Sequence, residues 1–188
     1  MTPRRGLTIS EIVYSATEIV DQEGLQQLSI GAVAKKLNIK PPSLYNHVRG
    51  LDELHDLLAI HVCQTLYEKL RDATVDFKQD DAVRGFSYAY VEFAKTHSGL
   101  YEAISRSASE ENDALREVQG QVVQVVLDVF DDYGLQEERA IHLVRMLRSM
   151  LHGFVTLDAA NGFGLPYDLQ DTLEIMIQTF LQGIKEVK

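Results

Sequence analysis

Apolar residues recur at intervals of three and four along almost the whole chain, the spacing that gathers them on one side of an α-helix. Ile9, Ile12, Val13, Ala16, Ile19 and Val20 form the first such stripe, and Gly24 supplies its stop. Leu25 and Leu28 then occupy a connector. Ser29 is a natural N-cap for a second helix over about Ile30 to Leu37, with Val33, Ala34 and Leu37 turned inward. Asn38 follows where the chain must turn tightly, and Asn tolerates a left-handed backbone better than any residue except Gly. Pro41 and Pro42 have φ preset near helical values and suit the first turn of a third helix, about Pro42 to His47, which Gly50 ends.

Asp52 is expected to cap a fourth helix carrying Leu54, Leu57, Leu58, Val62, Leu66 and Leu70 to about Ala73. Five more helices are predicted near Asp81–Thr96, Gly99–Arg106, Asn112–Tyr133, Glu137–Asn161 and Leu169–Glu186, with Gly162 to Pro166 as the clearest loop. No segment has the alternation of a strand. The predicted architecture is therefore all-α, about nine helices. Residues 1–51 form a three-helix helix-turn-helix domain, and residues 52–188 a larger helical domain for effector binding and dimerisation.

The three short N-terminal helices, with a turn of three or four residues between the second and third, have the proportions of a helix-turn-helix whose third helix enters the major groove. Leu44 and Val48, four apart, anchor the third helix, while Tyr45, Asn46 and His47 point outward with Ser43 beside them. Over residues 7 to 60 the sequence resembles the TetR family of repressors. Leu28-Ser29-Ile30-Gly31-Ala32-Val33-Ala34-Lys35-Lys36-Leu37-Asn38-Ile39 and Ser43-Leu44-Tyr45-Asn46-His47-Val48 match its signature nearly position for position. The resemblance implies that Ser43, Tyr45 and His47 contact phosphates and thymine methyls, and that Pro41, Pro42 and Asn46 lie near base edges. Ser29 belongs to the same DNA-binding set. Lys40 and Arg49 join it from charge and proximity, as partners for backbone phosphate.

Two positions depart from the family pattern: Asn38 stands where Gly is usual, and Leu51 where many members carry a phosphate-binding Lys. Leu51 and a modest basic charge favour a second reading, a helical interaction or effector-storage module that no longer binds DNA. The resemblance further implies a homodimer on a pseudo-palindromic, double-stranded operator, one half-site per monomer. The last two helices, with Leu143, Met146, Leu147, Met150, Leu151 and Phe154 on one and Leu173, Ile177, Phe180, Leu181 and Ile184 on the other, would supply both core and dimer interface.

The net charge of −10 argues at first against a polyanionic partner. Its distribution reverses that inference: residues 1 to 55 hold six basic and six acidic residues, so the deficit lies entirely beyond them. Arg4, Arg5, Lys35, Lys36, Lys40 and Arg49 can form a basic surface on the N-terminal third, while the acidic body disfavours wrong-way docking on DNA. The single cysteine, Cys63, excludes an internal disulfide framework and suits a reducing compartment. With no secretion signal and no apolar run long enough for a bilayer, the expected location is the cytoplasm, on the nucleoid when DNA is bound, and no membrane partner is expected.

For the sensor half, Leu151-His152-Gly153-Phe154 and the Asn161-Gly162-Phe163 loop resemble the TetR subfamily with a Trp-His-Gly-type element, although the chain has no tryptophan to lead it. Tyr88, Tyr90, Phe93, Tyr101, Met146, Met150, His152 and Phe154 are candidates to line a pocket for a small-molecule effector, because aromatic and methionine side chains suit an apolar cavity. Core packing competes for each of them. Six histidines raise the question of metal, but His55 and His61 are six apart and His142 and His152 ten apart, so neither pair converges on one helical face. No metal, cofactor or enzymatic activity is expected. The chain has no phosphate-binding glycine loop and no G-x-S-x-G, and its acidic pairs Asp80-Asp81, Glu110-Glu111 and Asp131-Asp132 fall at predicted helix ends.

Overall fold

A computed structural model describes residues 6–105 and 112–186, so Arg4, Arg5, Arg106 and Glu110-Glu111 lie outside the described residues. Among the described residues the regular elements are nine α-helices and one 3₁₀ turn. The helices are α1 (Ile9–Glu23), α2 (Ile30–Lys36), α3 (Pro41–Leu44), α4 (Leu51–Asp72), α5 (Gln79–Thr96), α6 (Ser98–Ser105), α7 (Asp113–Asp131), α8 (Glu137–Ala159) and α9 (Leu169–Glu186). Local chemistry sets their ends. Thr8 and Glu11 form a reciprocal capping box, the Glu11 N–H donating to Thr8 Oγ1 at 3.2 Å and the Thr8 N–H to Glu11 Oε2 at 2.8 Å. Asn161, at φ 52°, closes α8 in the left-handed region, and Gly134 at φ 66° follows α7. Gly50 accepts the Leu54 N–H, so α4 begins at Leu51 and Asp52 sits inside its first turn rather than capping it.

Two compact units emerge: Met1–Gln64 with His97–Val118, and Thr65–Thr96 with Gln119–Lys188. In the first, α1 buries Ile12, Ala16 and Val20 completely, and α2 contributes Val33 and Ala34. Helix α6 belongs to this unit because of Gly99: a Cβ there would stand 2.3 Å from the Val20 carbonyl oxygen. His97 Nδ1 reaches Asp21 Oδ1 at 2.8 Å beside the same contact. A smaller apolar cluster packs Ala59 and Cys63 of α4 against Leu115, with Ile104 at its edge.

The second unit packs α5 against α8 and α9 around Phe93, Phe130, Phe180, Leu147, Leu151 and Ile177. Two carboxylates tie α5 to α9. Asp80 accepts from Lys185 Nζ and the Tyr133 hydroxyl, each at 2.8 Å, and Glu174 accepts from the Tyr88 hydroxyl and the Arg84 guanidinium. The Lys185 ammonium holds Asp80 below its usual range, with Tyr133 adding to it; Tyr88 and then Arg84 do the same for Glu174. Burial, then the Asp80 bond, pushes the Tyr133 hydroxyl up.

Because both carboxyl pKa values are depressed on folding, their stabilisation is fully present above the ordinary carboxylate range. It is lost as pH falls through the lowered folded-state values. The urea midpoint should therefore hold from neutral to mildly acidic pH and then fall steeply. Asp80→Asn with Glu174→Gln should flatten that acid limb; an unaltered limb would refute the seam's part in it.

Candidate nucleic-acid interface

The turn between α2 and α3 is built from backbone preference. Ser29 Oγ accepts the Ala32 N–H at 3.1 Å and opens α2. Asn38 takes φ 53°, donating to the Lys35 carbonyl at 3.1 Å, and Ile39 N–H reaches the Ala34 carbonyl at 3.0 Å. Lys40 is extended, as a residue before proline must be, and Pro41 and Pro42 occupy the first turn of α3. The helix itself is shorter than its spacing predicts. It ends at Leu44, and Tyr45 to His47 continue as a turn in which the His47 N–H bonds back to Leu44 at 2.8 Å. A tightened i→i+3 closure suits the end of so short a helix, because those last carbonyls have no further turn to accept from.

This arrangement separates an inner from an outer side. Leu44 is wholly buried and Val48 nearly so, whereas the Tyr45 side chain is 58% exposed. Lys40, Pro41, Pro42 and Asn46 are exposed, and Ser43 and His47 half-buried. Ser29 is exposed; its oxygen serves as the helix cap, leaving the hydroxyl proton to donate outward.

The basic residues are placed unequally. Lys35 is exposed, whereas Lys36 pairs with Glu18 at 3.3 Å. Arg49 is 90% exposed but meets Glu53 Oε1 at 3.3 Å, and its own N–H donates to Glu53 Oε2 at 2.5 Å. That backbone bond, then the guanidinium bond, holds the Glu53 carboxyl below its usual range, so Glu53 is an anion beside a residue expected to meet phosphate. Glu53 is the residue sequence reasoning missed, although its i,i+4 spacing from Arg49 is the signal.

The candidate effector residues are scattered. Phe93 and Phe154 are buried, as is Tyr90; Tyr88 and Met150 are half-buried; Met146 and His152 are exposed on α8. Tyr101 is half-buried on α6, in the first compact unit. A cleft of about 580 Å³ in the second unit brings Tyr88 and Phe154 together with Leu173; the others do not line it. Phe154 also packs on Phe163 of the following loop, ring centroids 5.5 Å apart. A larger concavity, about 730 Å³, lies between α1, the end of α2 and α4, and none of the predicted residues lines it. Among the described residues no group of His, Cys, Asp or Glu could hold a metal ion, and no helix is long and apolar enough to cross a membrane.

Comparison with known proteins places this geometry. A family model described as "Tetracyclin repressor-like, C-terminal domain" matches residues 83–180. The chain is 39% identical over 185 residues to the HTH-type transcriptional regulator YobS of Bacillus subtilis, covering 98% of this chain and 96% of that protein. A solved protein of unknown function from Rhodococcus sp. RHA1 shares the fold with TM-score 0.84 at 17% identity, covering 97% of this chain and 98% of the other. A TetR variant from Acinetobacter baumannii AYE in complex with minocycline superimposes with TM-score 0.71 at 15% identity, covering 96% and 97%. The chain is a DNA-binding transcriptional regulator and belongs to the TetR family.

Proposed function

We propose that residues 1–51 are the DNA-reading head and residues 52–188 the effector-binding and dimerisation domain of a repressor that a small molecule releases from a pseudo-palindromic operator. The observation that carries this reading is the outward presentation of Tyr45, Asn46, Lys40 and the two prolines over the buried Leu44 and Val48. Ser29, Ser43, Tyr45 and His47 contact the backbone and thymine methyls, Pro41, Pro42 and Asn46 approach base edges, and Lys40 meets phosphate. Arg49 contributes less than its charge implies, because Glu53 already neutralises part of it.

Two copies pair through α8 and α9, whose exposed Met146, Leu157 and Ile175 are left without cover in the protomer. Effector and operator then oppose each other reciprocally, through a coupling of about 1–3 kcal/mol. The minocycline-bound relative supports a small organic molecule as effector. Leu151-His152-Gly153-Phe154, inside the matched region, supports the Trp-His-Gly-type subfamily. The regulator acts in the cytoplasm and on the nucleoid, and no reaction is assigned to it.

A mobility-shift assay with DNA flanking its own gene tests the reading: a salt-sensitive band that needs the dimer is expected. Tyr45→Ala should weaken that band by about tenfold at unchanged melting temperature, since one contact to the duplex is lost from an exposed position. Normal binding by this variant would overturn the assignment of Tyr45. Leu51 and the Arg49–Glu53 pair favour the alternative interaction module, which no band on any such fragment would support.

A further inference from the structure

The link from the reading segment to α4 is short: Val48 is buried at one end, 2% exposed, and α4 begins at Leu51. Glu53, half-buried in the first turn of α4, reaches back across this link with both carboxylate oxygens. Its Oε2 accepts the Arg49 backbone N–H at 2.5 Å, and its Oε1 lies 3.3 Å from the Arg49 guanidinium. Main-chain N–H groups and guanidinium groups are also the donors that hold phosphate oxygens in protein–DNA contacts. Glu53 therefore occupies, from within the chain, donors that a DNA phosphate would use.

The two bonds differ in how firmly they hold. The Arg49 side chain is 90% exposed, and an ion pair so open to water contributes little, so a phosphate can take the guanidinium from Glu53. The backbone bond has no such freedom. Buried Val48 on one side, and Gly50 on the other, whose carbonyl accepts the Leu54 N–H at 3.2 Å, hold the Arg49 peptide in place. Once DNA has the guanidinium, the carboxylate remains beside it as a like charge, and neither Leu51 nor Asp52 supplies a cation to offset it.

We infer that Glu53 is a positioning residue of the DNA-reading head with two separable effects: its hold on the Arg49 N–H sets the exit of the reading segment and so operator selectivity, and its charge withholds one phosphate contact per protomer. The inference rests on the DNA-reading assignment above and adds to it a residue that limits binding.

Glu53→Gln keeps an acceptor for the Arg49 N–H and removes the charge. The full-length dimer carrying it should bind the operator-bearing fragment and a scrambled duplex of equal length more tightly alike. Its plot of log affinity against log salt should steepen by about 0.9 per protomer, so that dilution from about 200 to about 50 mM salt strengthens it about tenfold more than the parent chain. In an Arg49→Gln background the same change should leave the slope nearly as it was. Glu53→Ala removes charge and acceptor together. Binding to the scrambled duplex should rise as with the Gln variant, while operator binding falls about tenfold below that variant's, the scale of one mismatched base pair. Hydrogen exchange at the Arg49 amide, slow in the parent chain and in Glu53→Gln, should quicken in Glu53→Ala.

An unchanged salt slope in Glu53→Gln, or the same steepening without Arg49, would overturn the competition with phosphate. Equal operator binding by the Gln and Ala variants would overturn the positioning role. A parent chain and a Gln variant that both bind neither duplex would refute the DNA-reading assignment and this inference together, whereas a normal band with an unaltered slope refutes the inference alone.

Discussion

Met146→Glu combined with Ile175→Glu is expected to leave a folded monomer that binds its operator more weakly by roughly 10²–10⁴-fold, the advantage that linking two half-site contacts confers. Met146 is 54% exposed on α8 and Ile175 64% exposed on α9, whereas Leu143, Leu147, Leu151, Ile177 and Phe180 turn the opposite faces into the core. Gly153 and Gly183 lie inside these helices, and a Cβ added to either would meet nothing within 4 Å. A helical glycine costs about 1 kcal/mol relative to alanine, and nothing within the protomer requires these two. The close approach of a second copy, as proposed above, would give them a reason. Four carboxylates brought into that contact would be desolvated without partners, which the dimer cannot absorb. Sedimentation velocity reads the oligomer and circular dichroism the fold; a variant that stays dimeric would move the interface off α8 and α9.

Leu44→Ala should lower unfolding stability by about 2–5 kcal/mol, the range for emptying a closely packed leucine site. It should also abolish DNA binding while the dimer persists. Helix α3 spans four residues, far below the roughly 12–15 at which an isolated helix begins to hold itself in water. Its position therefore depends on Leu44, which is wholly buried, on Val48 at 2% exposure, and on the preset φ angles of two prolines. Denaturant titration gives the stability, and hydrogen exchange at residues 41–48 shows whether the loss is local. Tyr45→Ala separates the two roles of neighbouring residues, since it would remove the proposed contact to DNA from an exposed position at no cost to the core. If Leu44→Ala were as stable as the parent chain, the packing account of this segment would be wrong.

Reading the chain for its chemistry works best where a few neighbouring residues decide the outcome. The α1 stripe, the Ser29 cap, the left-handed Asn38 and the proline-led start of α3 are each set by sterics and hydrogen bonds within a turn or two, so the helix-turn-helix is legible before any fold is known. The same locality explains the small errors. Asp52 has the right chemistry for a cap, yet α4 starts one residue earlier, with Glu53 folded back onto the Arg49 N–H. Tyr45 to His47 have helical neighbours but tighten into a turn, because the chain must already bend toward Val48 and α4.

What the amino-acid order determined unaided was the all-helical pattern, the site of the turn and the outward face of the reading segment, since periodicity and backbone preference are properties of adjacent residues. Only the tertiary structure decided which apolar residues of α8 are core and which are left uncovered, why Gly99 admits no side chain beneath the Val20 carbonyl, and how Tyr88 and Phe154 come to meet Leu173 at one cleft. Those outcomes depend on segments far apart in the chain meeting at a few ångströms, and the spacing of residues along one helix carries no information about what will stand opposite it.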